Sequence, residues 1–155
     1  MRKYIFIGTG GTAGAILRYV IKNMRIYHYR EQIPINTLII NLSGSFLLAL
    51  ILTVAFEVWE LDAEIRLGIA TGFLGAYTTF STLCKETVSL FNQGMYYSAV
   101  SYIGFSTMLG LFFVYLGSVA ARELIPKLIK DKFEDIPEID MIRGVEETDD
   151  GGRDK

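Results

Sequence analysis

Between Leu67 and Phe91 lies an apolar stretch long enough to cross a bilayer, and its middle reads Gly72-Phe73-Leu74-Gly75-Ala76-Tyr77-Thr78-Thr79-Phe80-Ser81-Thr82. Lipid offers no hydrogen bonds to loosened backbone. Such an interruption survives at membrane depth only where protein or a wet or ion-occupied cavity encloses it. The chain must therefore surround this segment with other membrane helices. Three further apolar blocks supply them: Tyr4 to Ile21, Ile35 to Phe56 and Met95 to Ala121. The four blocks are about 18 to 27 residues each, against the ~20 needed to span. With 51% hydrophobic residues and a mean hydropathy of +0.34, the 155 residues are too apolar for an ordinary soluble domain. The expected fold is an all-α membrane protein of four transmembrane helices with the third interrupted. The first block follows Arg2-Lys3 like a signal peptide, but no small-residue cleavage site closes it, so it is expected to stay as a helix.

Acid and base are segregated. From Asp131 onward there are ten acids and four bases, so that part carries −6, and the overall charge of −2 leaves +4 on residues 1–130. The expected division is a four-helix membrane unit over 1–122 and an acidic, solvated, disordered tail over 123–155. Bases flanking the blocks number seven on the amino-terminal side (Arg2, Lys3, Arg66, Arg122, Lys127, Lys130, Lys132) against Lys22, Arg25 and Arg30 on the other. That bias places both termini in the cytoplasm. The single cysteine, Cys84, excludes an internal disulfide and a multi-cysteine metal site, and His28 has no companion ligand. Trp59, Tyr96 and Tyr97 are placed as interfacial anchors.

Tyr4-Ile5-Phe6-Ile7 before Gly8-Thr9-Gly10-Gly11-Thr12-Ala13-Gly14 imitates a strand feeding a dinucleotide-binding loop, but no strand–helix alternation follows. Gly10 with Gly14, and Gly11 with Ala15, have instead the spacing that lets membrane helices approach closely. In the second block Thr37, Asn41 and Ser45 share one face. An amide in lipid must meet another helix or a water-filled path, and the spacing alone leaves both open. In the third, Thr78, Thr79, Ser81 and Thr82 can cap a second half-helix starting near Thr79 or Phe80. Carbonyls freed before the break would face a cation and N–H groups after it an anion. Lys85 and Glu86 follow, read as snorkelling or pairing near the interface. Ser98, Tyr102, Ser106 and Gly110 form a second polar stripe in the fourth block, so two polar stripes and a broken helix suggest one continuous path.

Three ordered stretches resemble the Fluc (CrcB) fluoride channels: Gly10-Gly11-Thr12-Ala13-Gly14-Ala15-x-x-Arg18-Tyr19, Asn36-Thr37-Leu38-x-x-Asn41-x-x-Gly44-Ser45-Phe46, and Gly72-Phe73-x-Gly75-x-x-Thr78-Thr79-Phe80-Ser81-Thr82. The acidic tail lies outside the resemblance. It implies a small subunit of the cell's inner (plasma) membrane that pairs as an antiparallel dimer with two fluoride pores and a structural sodium ion at the dimer centre. The implied activity is passive export of fluoride from the cytoplasm, which lowers its toxicity, and not an enzymatic reaction. Carried over by position, Asn41, Phe80, Tyr102 and Ser106 match the pore, with Thr37 and Ser81 in its polar lining. Gly75 and Thr78 match backbone carbonyls that bind sodium, while Arg18 and Glu86 match framework positions. Amide and hydroxyl donors and the positive edge of a phenyl ring are the groups that can replace water around a small, strongly hydrated anion.

Two positions depart from the family pattern: Leu83 stands where a second phenylalanine is usual, and Asn36 replaces a glycine. The implied partner is a second Fluc-like subunit, the same chain or a paralogue; a paralogue would give the missing aromatic edge and the one-sided charge one shared explanation. No nucleic-acid partner is expected. Two other readings are a non-conducting partner subunit and a four-helix drug or metabolite exchanger. The exchanger needs a titratable carboxylate in its cavity, for which Glu86 is the sole candidate.

Overall fold

The computed structural model describes residues 1–24, 34–58 and 62–134, and all regular structure among them is helical. His28, Trp59, Arg25, Arg30 and the tail from Asp135 on lie outside the described residues. α1 (Arg2–Asn23) and α2 (Ile35–Thr53) are proline-free apolar runs joined at one end of the molecule. Asn36 ties that end: its Nδ2 donates to the carbonyls of Lys22 at 3.1 Å and Met24 at 3.0 Å, satisfying acceptors that the last turn of α1 leaves open. The departure from glycine at position 36 thus has a structural use. Asn36→Ala is expected to lower the thermal midpoint of the detergent-solubilised protein by roughly 3 °C. An unchanged melt would show that water serves those carbonyls equally well.

α2 widens into a π-helical turn, π1 (Val54–Val58), from which Glu57 forms a two-point pair with Arg122 of the last helix, both contacts at 2.7 Å. Asp62 then caps α3 (Ala63–Leu67) by accepting from the Glu64 N–H at 3.2 Å. α3 runs directly into a second π-helical stretch, π2 (Gly68–Leu74), and that into a single turn, α4 (Gly75–Tyr77). The helix breaks at Thr78 and Thr79, both extended, and resumes as α5 (Phe80–Asn92). Gly94, at φ 76°, makes the reversal into α6 (Tyr96–Glu134), a conformation that a side chain would oppose. α6 passes straight through the expected boundary at 122. Leu124, Ile125, Leu128 and Ile129 keep a helical apolar period there, so the first part of the expected tail is helix.

Among the described residues three helices are long and apolar enough to cross a membrane: Arg2–Asn23, Ile35–Glu57 and Tyr96–Glu123, with mean hydropathy 1.2, 2.3 and 1.8. The buried core is small. Ile40, Leu74 and Tyr77 form one cluster, and Leu90, Ala99 and Tyr102 a second. Large apolar side chains such as Ile16, Val100, Met108 and Leu111 stand exposed, as expected where lipid and not water is the solvent. Helices then gain from close contact and not from burial. Glycines supply that contact. A Cβ at Gly10 would strike the Gly68 carbonyl, and one at Gly14 the Phe73 carbonyl; at Gly72 it would come within 2.7 Å of the Ile7 carbonyl. The Gly10/Gly14 spacing is thus a packing seam between α1 and π2. Gly11 meets only an ordinary contact at 3.8 Å and takes no part.

Candidate functional site

A continuous helix would donate the Thr79 N–H to the Gly75 carbonyl. Here it goes instead to Asn41 Oδ1 at 2.8 Å, while Asn41 Nδ2 donates to the Thr79 carbonyl at 3.1 Å. The side-chain amide thereby presents to Thr79 the donor–acceptor pair that a neighbouring strand would. Asn41 is fixed on α2 opposite the break, and the N–H and carbonyl of Thr79 are satisfied without helix or water. One of its two Nδ2 hydrogens is spent in this way. The interhelical bond, one of two readings left open by the spacing, is therefore present, and one donor remains for another partner.

Thr79 also starts the second half-helix. Its Oγ1 accepts from the Thr82 N–H at 3.2 Å and donates to Thr82 Oγ1 at 2.9 Å, with Ser81 Oγ 3.3 Å away. Thr78 Oγ1 folds back on the Leu74 carbonyl at 2.9 Å. Arg18 of α1 reaches the Thr78 carbonyl at 3.5 Å through NH1. Close packing holds α2 here, because a Cβ on Gly44 would strike Thr78 Cγ2. Tyr77, which sequence reasoning passed over, adds a 2.7 Å hydrogen bond to Ser43 Oγ.

Of the two readings expected for Glu86, the structure shows pairing. Its Oε1 accepts from Thr37 Oγ1 at 2.9 Å and its Oε2 from Tyr102 OH at 2.9 Å, and Lys22 Nζ lies 3.6 Å from Oε1. Thr37 and Tyr102 are each 1% exposed. A carboxylate so far inside an apolar segment is tolerable only when several donors meet it, and these come from α1, α2 and α6. That convergence could not be read from one chain, because its partners are 16, 49 and 64 positions away in sequence.

Between this cluster and the break, the Thr37, Asn41 and Ser45 face of α2 lies along the Tyr102 and Ser106 face of α6. On each helix a step of four residues is about 6 Å. They open on a cavity of about 360 Å³ lined by Asn41, Ser45, Thr79, Phe80, Leu83 and Ser106. Ser106 Oγ is buried and has no hydrogen-bond partner among the described residues. Phe80, by contrast, is 77% exposed beside the cavity, and Leu83 presents an aliphatic wall. Of the sequence-selected residues, Asn41, Phe80 and Ser106 line this cavity and Thr37 and Tyr102 meet at Glu86, while Ser81 is not one of its walls and lies beside Thr79. Gly75 and Thr78 line the same cavity, Arg18 reaches it at the Thr78 carbonyl, and Glu86 lies beyond it with Thr37 and Tyr102. No cluster of three or more His, Cys, Asp or Glu side chains exists among the described residues, so a cation here would depend on carbonyls.

Residues 5–118 match the family described as CrcB-like protein, Camphor Resistance (CrcB). Among curated proteins the chain is similar to the "Fluoride-specific ion channel FluC" of Acidobacterium capsulatum, 39% identical over 123 residues, covering 79% of this chain and 98% of that protein. It is also similar to "Fluoride-specific ion channel FluC 2" of Moorella thermoacetica, 40% identical over 121 residues, 78% of this chain and 98% of that one. The FluC of Shewanella loihica is 39% identical over 117 residues, 76% and 94% of the respective lengths.

Proposed function

The chain belongs to the CrcB family, and from that membership we propose that its broken helix and the polar strip beside it form a fluoride path through a subunit of four spanning segments. The protein is a fluoride-specific ion channel of the membrane and not an enzyme. The observation that carries the route is Ser106 Oγ, a buried hydroxyl without a protein partner, facing the same cavity as the Asn41 amide and the Phe80 ring. An anion stripped of water would find there a hydroxyl, an N–H and an aromatic edge. From that point Tyr102 and Thr37 continue the strip to Glu86. An ionised Glu86 repels anions unless its charge is spent on hydrogen bonds, and the Lys22 ammonium at 3.6 Å offsets it. The same three partners occupy the one carboxylate that a proton-coupled exchanger would have used. Liposomes holding only this chain are expected to release fluoride and retain chloride; equal release of both would overturn the route.

The four spanning segments are α1, α2 with π1, the interrupted run from α3 to α5, and α6, with both termini on the cytoplasmic side of the inner (plasma) membrane. Passive flow through them lowers cytoplasmic fluoride. Two subunits in antiparallel arrangement complete the pores, which accords with Phe80 standing exposed as a ring for a facing copy. Leu83 removes one aromatic edge from the cavity wall, and a paralogous partner would restore it. Cysteine-accessibility mapping of the chain expressed alone is expected to find one orientation. Equal populations in both, with full flux, would instead mean a homodimer that tolerates leucine.

The residues around the break suit a sodium ion held by main-chain carbonyls. Gly75 O has lost the Thr79 N–H, and Thr78 O has only the 3.5 Å contact from Arg18, which a bound cation would have to displace. A bound ion would supply positive charge at the subunit contact and take the place of Arg18 on the Thr78 carbonyl. Replacing sodium by N-methylglucamine throughout purification is expected to lower both thermal stability and flux, and returning sodium to restore them. Indifference of both measurements to the cation would rule the ion out.

A further inference from the structure

At the end of the molecule that holds the amino terminus, α1 and the α3–π2 run part to leave an apolar groove of about 330 Å³, lined by Phe6, Thr9, Ile65, Ile69 and Phe73 with Gly10 and Gly68 as its floor. The floor is backbone: with no side chain at either glycine the helices touch there, and the large residues stand to either side. Thr9 adds no polarity, because its hydroxyl donates to the carbonyls of Ile5 and Phe6 at 2.9 and 3.2 Å. Three cations neighbour the lining residues in the chain without being among them. Arg2 and Lys3 begin α1, roughly 5 to 10 Å along the axis from the residues that line the groove, and Arg66 follows Ile65 directly.

These cations are poorly neutralised. Arg2 Nε lies 3.9 Å from Glu64 Oε2 with 80% of its side chain exposed. Lys3 Nζ rests 5.2 Å from the Tyr4 ring and the Arg66 guanidinium 4.2 Å from the Phe56 ring, contacts that orient a charge without cancelling it. Of the other acids at this end among the described residues, Glu57 is taken by Arg122, and Asp62, the cap of α3, stands four residues before Arg66 with its side chain accepting the Glu64 N–H. A dry groove at hydrocarbon depth with three bases next to its lining residues has the chemistry of an acyl chain below and a phosphate above. A second copy of the chain fits less well. Laid parallel it would bring the same three bases, and laid antiparallel it would bring Lys22, beside a Glu86 already committed to Thr37 and Tyr102.

We propose that this groove holds one acyl chain of an anionic phospholipid whose headgroup lies among Arg2, Lys3 and Arg66. The site rests on the chain's being a membrane protein and is independent of the ion route. Native mass spectrometry of the full-length protein, given equal phosphatidylglycerol and phosphatidylcholine, is expected to retain one phosphatidylglycerol per chain with a preference of about tenfold. The combined Arg2→Gln, Lys3→Gln and Arg66→Gln variant should bring the two lipids near parity. Thr9→Phe, which fills the groove from a side chain and not from backbone, should reduce retention of both at an unchanged melting point. Parity in the native protein, or an undiminished preference in the triple variant, overturns the proposal. So does disulfide linkage between two copies of a Thr9→Cys, Cys84→Ser chain in zwitterionic bilayers, since a second subunit would then occupy the groove. Fluoride flux from the same preparations keeps the two failures apart, because lost lipid preference with flux intact removes the groove and leaves the channel.

Discussion

Asn41→Ala is expected to abolish most fluoride flux while the chain still inserts and can be purified, with a melting point several degrees lower. The variant loses two things at once. It removes both hydrogen bonds to Thr79 and so leaves an N–H and a carbonyl unpaired at membrane depth, at about 1–3 kcal/mol each. It also takes away the remaining Nδ2 hydrogen beside Ser106 and Phe80. If those losses appear in the barrier, flux falls by roughly 10- to 100-fold or more. Asn41→Asp separates the two roles. It can still accept from the Thr79 N–H but cannot donate to the carbonyl, and it places a carboxylate beside an anion path. Flux from Asn41→Asp should therefore be as low as from alanine while the melting point recovers in part. Near-normal flux from either variant in liposomes would remove Asn41 from the path.

Gly14→Ala should do more damage to the fold than any other single methyl group. The added Cβ would strike the Phe73 carbonyl and lie 3.0 Å from its carbon and 3.1 Å from the Tyr77 nitrogen. All three are main-chain atoms of the run leading into the break, so neither side can swing away and α1 must move outward. Overpacking of this kind costs about 1–3 kcal/mol where side chains can adjust, and more is expected where only backbone can give. Gly8→Ala is the matched control. Nothing lies within 4 Å of a Cβ there, and alanine improves an exposed helical position by up to ~1 kcal/mol. Size-exclusion profiles and thermal melts should show Gly14→Ala aggregated or poorly folded and Gly8→Ala unchanged or better. Similar behaviour of the two would mean that α1 is not held against π2 and α4 by backbone contact.

The place of the break was legible in the chain, because threonines and glycines in an apolar segment have few other physical uses, and Thr79 caps α5 in the manner that its neighbours suggested. What Asn41 touches was not legible. A stripe at four-residue spacing says which face is polar but not what lies opposite. Whether Glu86 snorkels or pairs was left open for a related reason: a charge near a segment's end has a cheap escape to water, and only the hydrogen bonds from Thr37 and Tyr102 and the ion pair with Lys22 show that it pairs. Asn36 was noticed as a departure, yet its use depends on where α1 ends. The continuation of α6 to Glu134 was hidden by the acids that begin at Asp131, since charge density reports solvation and not backbone conformation.

The π-helical stretch from Gly68 to Leu74 left no trace in the apolar pattern, yet it governs the phase of everything after it. The Gly75 N–H reaches back five residues, to the Ala70 carbonyl, so the run stores the equivalent of one surplus residue. Each residue of an ordinary helix turns the chain by about 100°. Because the wide turn absorbs the surplus residue, deleting one residue of that run would leave the downstream face unrotated, whereas straightening the run to ordinary pitch at its present length would rotate that face by that amount relative to α1. Thr79 would swing off Asn41 and Glu86 off Thr37 and Tyr102, although none of those side chains had been altered. The stretch acts as a screw thread cut with one offset turn, and it sets the angle at which the two halves of the pathway are aimed at each other.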